Sequence, residues 1–273
     1  MHEKVHQLRK RCKKLRGLIR LVRPVFADYA TENAALRDIA RTLSFVRDTD
    51  VLIGTYDAVV EAYDDQIEHA TFAPIRRKLT LRRKALGERR RDIDRRLAQF
   101  GDTMNETRRR ARHWRIADNG FAALSAGLAK TYKRAGKAMA ACQAEPTPAA
   151  FHEWRKRIKY HAYHARLLAP VWPGPMKAHR QAVERLGDLL GEHHDLAAFQ
   201  QTLAAAPNDF GHAADVEVMI GLARRRQAAL AAEAFPLGAR LLAEPASALR
   251  DRWQAYWTVW RNENKEKAPA LAA

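Results

Sequence analysis

Apolar residues along this chain return at three- and four-residue intervals, the spacing that lays a stripe down one side of an α-helix. The opening segment sets the pattern. Val5, Leu8, Cys12, Leu15, Ile19 and Val22 share one side of a helix predicted from about Glu3 to Val22, with Pro24 near its end. Asp28 to Asn33 carries the turn into a second helix near Ala34, which holds Leu36, Ile39, Leu43 and Val46, kinks around Arg47-Asp48-Thr49-Asp50 and continues towards His69. Pro74 opens a third helix to about Phe100, Gly101-Asp102 breaks it, and a fourth lies between Met104 and Cys142 with an interruption near Gly120. Glu145-Pro146-Thr147-Pro148 is the strongest stop, because proline lacks the N–H that a continuing helix needs. Four more helices follow, at Ala149 to Leu168, Met176 to about Ala205, Asp209 to Ala232 and Leu237 to Asn262. β-branched residues are sparse, no strand is predicted, and the fold class is all-α.

Composition narrows the class of protein. The 273 residues include 49 lysines and arginines against 31 acids, a formal charge of +18, yet 47% are apolar. That apolar share excludes a disordered polycation and supplies a sizeable core. Cys12 and Cys142 each sit within a helical pattern and read as small packing residues of a reducing compartment. The start, Met1-His2-Glu3-Lys4-Val5-His6, lacks a signal-peptide apolar region, and no apolar run is long enough for a membrane span, so a cytoplasmic protein without a membrane partner is expected.

An internal repeat organises the charge. Val5-His6-Gln7-Leu8-Arg9-Lys10-Arg11-Cys12-Lys13 is answered 146 positions later by Phe151-His152-Glu153-Trp154-Arg155-Lys156-Arg157-Ile158-Lys159. A second echo sets Arg47-Asp48-Thr49-Asp50-Val51-Leu52 against Glu192-His193-His194-Asp195-Leu196-Ala197, at an offset of 145. A duplicated four-helix unit follows from these echoes, with residues 1–145 and 146–265 as the two bundles and 266–273 as a frayed tail. In the first copy His6, Arg9, Lys10, Lys13, Arg16 and Arg20 share one helix face; in the second His152, Arg155, Lys156, Lys159 and Arg166 do, with Tyr163 taking one step. Like charges stacked this way repel one another, and a polyanion would compensate them. One basic stripe alone is most simply a solvated face. Two stripes led by histidine at matching positions point to a shared anion site.

Other constellations give less. Glu192-His193-His194-Asp195 and His161-x-x-His164 carry metal-ligand residue types, but no Glu-x-x-His pair or His-Glu-x-x-His accompanies them. His161 and His164 read as interfacial or surface residues, and Asp48, Asp50 and Asp195 as helix caps or partners of Arg47 rather than magnesium ligands. No metal, cofactor or catalytic constellation is expected. Arginine runs between Arg76 and Arg115 extend around the helix, which keeps a basic nucleic-acid-binding protein open as the alternative. The acidic stretch from Asp28 to His69 is expected to pack beside them. Trp253, Trp257 and Trp260 read as core of the last helix.

The histidine-led helices, with Arg47-Asp48-x-Asp50 and Leu190-Gly191-Glu192-x-x-Asp195-Leu196 downstream, resemble the CHAD family, the conserved histidine α-helical domain, over about residues 3 to 260. The resemblance implies two four-helix bundles related by a pseudo-two-fold axis. It also implies binding of inorganic polyphosphate in a basic central groove or pore, and association with polyphosphate granules. Carried over, it places His6, Arg9, Lys10, Lys13, Arg16, His152, Arg155, Lys156 and Lys159 at the polyanion, with Arg37, Arg41 and Arg185 as a supporting tier. His194 stands where the family often has asparagine, and Ala162 where the first copy has Arg16, so the second half is expected to bind less tightly. The Glu-x-Glu-x-Lys strand of the triphosphate-tunnel domain found beside many relatives is absent from this sequence, and no triphosphatase activity is implied.

The residue types suit that ligand. Arginine grips phosphate oxygens with a planar fork, while lysine acts as a flexible point charge that tolerates shifts in register. Multiple phosphate contacts release counterions, so affinity falls with salt. Histidine, with a reference pKa of about 6.5, adds charge as pH falls. Chain-length preference and oligomeric state are not written in the sequence.

Overall fold

The computed structural model describes residues 2–43, 45–88 and 90–270, with 2–4, 45–48, 86, 87, 90 and 265–270 described by their backbone alone. Among the described residues the chain forms ten α-helices: α1 (His2–Leu21), α2 (Tyr29–Thr42), α3 (Phe45–Ala62), α4 (His69–Glu88), α5 (Arg90–Ala111), α6 (Ala122–Ala144), α7 (Pro148–Leu168), α8 (Pro173–Ala204), α9 (Ala213–Leu241) and α10 (Ala246–Ala270). The all-α expectation holds. The described residues contain no strand, only an isolated bridge between Phe26 and Ile116.

Several helix limits differ from those expected. The anticipated kink at 47–50 lies inside α3, because the division falls earlier, between Thr42 and Phe45; the Arg47 and Asp48 side chains are outside the described residues. Pro74 does not open α4 but sits inside it, where its missing N–H forgoes one helical bond without ending the helix. Gly101-Asp102 lies within α5. Glycine costs a helix about 1 kcal/mol relative to alanine, too little to break a run with a continuous buried face such as Ile93 and Phe100. The proline stop, by contrast, is where it was read: α6 ends at Ala144, Pro148 takes the first turn of α7, and the Thr147 side chain accepts a 3.2 Å hydrogen bond from Ala150 N.

The chain packs as two compact units. The first comprises Met1–Lys13, Ala34–Arg112 and Leu189–Ala234; the second comprises Lys14–Asn33, His113–Asp188 and Phe235–Ala273. In the first, Val5 and Cys12 of α1 meet Ile39 of α2, Leu43 just after it, and Ile93 and Phe100 of α5. In the second, Leu21, Leu128, Tyr132, Ala165, Leu168, Leu249 and Trp253 form the core, and α6, α7 and α10 supply most of it. The core position of Trp253 agrees with the reading of the last helix, while Trp257 is half-buried and packs on Phe121. Both cysteines are buried, and neither is in a disulfide.

Candidate functional site

In the first unit the basic face of α1 follows from its apolar one. With Val5 and Cys12 turned to the core, His6, Arg9 and Lys13 are half-buried at its margin and Lys10 is exposed. Arg9 Nη1 donates to the Ala40 carbonyl at 3.2 Å and so ties α1 to α2. The α2 residues Arg37 and Arg41 are exposed, and Arg37 donates twice to its neighbour Asp38, at 2.7 and 2.8 Å.

In the second unit the end of α1 continues the stripe. Arg16 Nε and Arg20 Nη2 both donate to Asn33 Oδ1, at 3.2 and 3.1 Å, so two cations share one neutral acceptor. The Arg20 guanidinium also lies 4.2 Å from the centre of the Tyr160 ring of α7. The cations of α7 are held differently. Lys156 and Arg157 both pair with Glu153, Lys159 with Asp188 at 2.9 Å, and Arg166 with Glu184. His152 and Arg185 are exposed, and Arg155 is half-buried. The structure therefore gathers Arg16 and Arg20 on Asn33 and sets Arg20 against α7, while Lys156, Lys159 and Arg166 each lean on a carboxylate.

The pair His161 and His164 corrects the surface reading: each is 1% exposed. His164 Nε2 donates to the Gly17 carbonyl at 2.9 Å where α1 passes α7, and the same close passage puts Tyr163 against Gly17. His161 shares a 2.9 Å hydrogen bond with His179 and stacks near Trp253. Burial holds His161 well below the ordinary histidine range, and it lowers His164 and His179 to about 4 each. His161 and His164 are neutral core histidines, and His179 sits half-buried beside them. The row Trp154, Ile158, His161, Ala165, Leu168 steps by four and three through the buried face of α7, and that spacing is the signal that places His161 inside.

A second group of cations adds Arg23, Lys130 and Arg134, which lie outside the repeat's stripes, to Arg20 and Arg157. Arg20 and Arg23, from the end of α1 and the turn after it, line one small pocket with Gly127, Lys130, Thr131 and Arg134 of α6 and Arg157 and Tyr160 of α7. Gly127 makes this approach possible, since a Cβ there would stand 1.8 Å from the Leu21 carbonyl oxygen. Burial lowers the pKa of Arg134, and the neighbouring Arg157, Arg23 and Arg20 lower it further. In the sequence, Gly127, Lys130, Thr131 and Arg134 step by three, one and three, one helix face with a small residue at its head.

The arginine-rich stretch of α4 and α5 differs in its partners. Arg76 pairs with Asp57 at 2.7 Å, Arg83 with Asp50 at 3.9 Å, Lys78 and Arg82 with Asp209, and Arg95 and Arg96 with Asp92. The acidic α3 indeed packs beside α4. Asp50 thus meets Arg83, while Asp195 meets His194 at 3.1 Å and Glu192 meets Arg226 at 2.8 Å. Among the described residues no three His, Cys, Asp or Glu side chains converge as a metal ion would require.

A family model described as the CHAD domain matches residues 1–204, about three quarters of the chain. The chain belongs to the CHAD family. The matched span closes at the last residue of α8, leaving α9 and α10 beyond it. Polyphosphate binding is a known property of CHAD domains, which are generally binding modules. No curated protein and no solved structure matches this CHAD chain. No helix among its described residues is long and apolar enough to cross a membrane.

Proposed function

We propose that this CHAD protein binds inorganic polyphosphate. The equivalent helices α1 and α7 of a duplicated unit supply His6, Arg9, Lys10, Lys13, Arg16 and Arg20, and His152, Arg155, Lys156, Lys159 and Arg166, with Arg37, Arg41 and Arg185 in support. The observation that carries the reading is the sharing of Asn33 by Arg16 and Arg20. A neutral amide oxygen accepts from both guanidinium groups and itself adds no negative charge to compete with phosphate for them. In α7 a polyanion would have to take over cations that now pair with Glu153, Asp188 and Glu184. Exposed pairs of that kind are worth only ~0–1 kcal/mol, so the exchange is cheap, but α1 remains the stronger half. Binding, not turnover, is the activity, and granule association follows from the ligand.

The nucleic-acid alternative draws on α4 and α5, where carboxylates already engage six of the cations. A competition titration at physiological salt tests both. Long-chain polyphosphate is expected to outcompete duplex DNA at equal charge concentration, and Arg16→Glu/Arg20→Glu to abolish polyphosphate binding. DNA winning, with charge reversal at Arg82 and Arg83 carrying the loss, would replace the reading. Phosphate release with added divalent metal would make the protein an enzyme.

A further inference from the structure

Five cations from three stretches of chain surround the small pocket of the second unit, and only Arg20 among them belongs to the stripe already assigned. Arg23, Lys130, Arg134 and Arg157 complete the set. Glu153, the carboxylate that acts on Arg134, is engaged by Lys156 and Arg157, and among the described residues no carboxylate pairs with Arg23, Lys130 or Arg134. Arg20 Nε is buried with no hydrogen-bond partner. Like charges gathered with so little compensation repel one another, and partial burial weakens the solvent screening that would relieve them. They are nevertheless held there by packing: Gly127 lets α6 touch the end of α1, and Tyr160 and Asn33 fix Arg20 from two sides.

We propose that the cation-lined mouth of this pocket seats the terminal phosphoryl group of a linear oligo- or polyphosphate. An interior phosphate unit carries one negative charge and two non-bridging oxygens. A terminal unit carries three such oxygens and a second ionisation with pKa near 6, which nearby cations drive to completion. Several guanidinium groups converging from different directions match that concentrated charge and its three acceptors better than they match a repeating chain. Thr131 and Tyr160 add hydroxyl groups to the wall. Phosphate chemistry alone supports the seat; only the polymer as its source rests on the proposed function.

Calorimetric titration of linear tripolyphosphate and cyclic trimetaphosphate, which has no chain ends, tests the seat. Wild-type protein is expected to bind the linear form at least about tenfold tighter, and Arg134→Gln to lose about that factor for the linear form with little change for the ring, the size of one lost charge-assisted hydrogen bond. Circular dichroism checks that the variant folds, and Lys130→Gln, at an exposed position, repeats the test if Arg134→Gln does not. Equal binding of ring and linear forms by wild type, or equal losses for both in the variants, overturns the proposal. Displacement of tripolyphosphate by long-chain polyphosphate then separates the sources. Displacement that follows the concentration of chain ends assigns the polymer end, none assigns a free oligophosphate, and displacement that follows total phosphate units overturns end recognition. Should long chains not bind at all while tripolyphosphate binding still depends on Arg134, the proposed function falls and the seat stands.

Discussion

Replacing Gly127 with alanine should destabilise the protein, although alanine is the better helix former. A Cβ at Gly127 would lie 1.8 Å from the Leu21 carbonyl oxygen, 2.5 Å from its carbon and 2.8 Å from the Arg20 carbonyl oxygen. Ordinary carbon–oxygen contact needs about 3.4 Å or more, so α6 and the end of α1 must part by roughly 1.5 Å, and the obstacle is backbone that no rotamer change can move. Overpacking of this kind costs about 1–3 kcal/mol or somewhat more, against a helix-propensity gain of about 1 kcal/mol. Gly136 supplies the control. It lies in the same helix, and a Cβ there meets nothing within 4 Å, so Gly136→Ala receives the gain without the clash. Urea and thermal unfolding of both variants should place Gly127→Ala below wild type and Gly136→Ala at or above it. At about 2–4 °C per kcal/mol for a chain of this size, the two melting temperatures should differ by several degrees. Gly127→Ala should also weaken tripolyphosphate binding, because it spreads the pocket walls. A Gly127→Ala protein as stable as Gly136→Ala would refute the close approach and, with it, the geometry assigned to the pocket.

The remaining predictions concern protons. His164, His179 and His193 have folded-state pKa values lowered to about 4, chiefly by burial, and His161 is lowered too. Between pH 6.5 and 4 the unfolded chain therefore binds more protons than the folded one. Stability is full above about pH 6.5 and falls as pH drops, by at most ~1.4 kcal/mol per pH unit for each histidine. Urea midpoints at pH 7.5, 6 and 5 should fall in that order, and less steeply for His164→Asn; a flat series would contradict the neutral core histidines. Polyphosphate binding should run the other way and tighten from pH 7.5 to 6 as His6 and His152 gain charge beside the polyanion. A His6→Ala/His152→Ala protein should lose much of that dependence, and identical pH profiles in the two proteins would remove the histidines from the site.

What could be read in the sequence depended on whether a feature was local. The α6–α7 stop was legible because Thr147 and Pro148 act within one turn, and the basic face of α1 because its spacing with Val5 and Cys12 is local too. The division between α2 and α3 carries neither glycine nor proline at Leu43-Ser44 and left no such mark, whereas Gly101 invited a break that α5 had no need to make. His161 was legible in principle, since it keeps step with Trp154 and Ile158, but a His-x-x-His spacing suggests surface chemistry before it suggests core. The pocket cations could not be grouped from periodicity at all. Arg23, Arg134 and Arg157 lie on separate segments, and the contact of Gly127 with the Leu21 backbone together with the packing of α6 on α7 brings them to one place.

The discontinuous make-up of the two units also has a consequence for biosynthesis. The first needs residues up to Ala234 and the second needs both Lys14–Asn33 and Phe235–Ala273. Chain emerging from the ribosome at about 5–20 residues per second would therefore hold helices α1 to α7 for many seconds before either unit has all its parts. Over that interval the cations of α1 are already synthesised while the segments that complete both cores are not. A nascent chain of this kind carries much of its positive charge for seconds before either core can close.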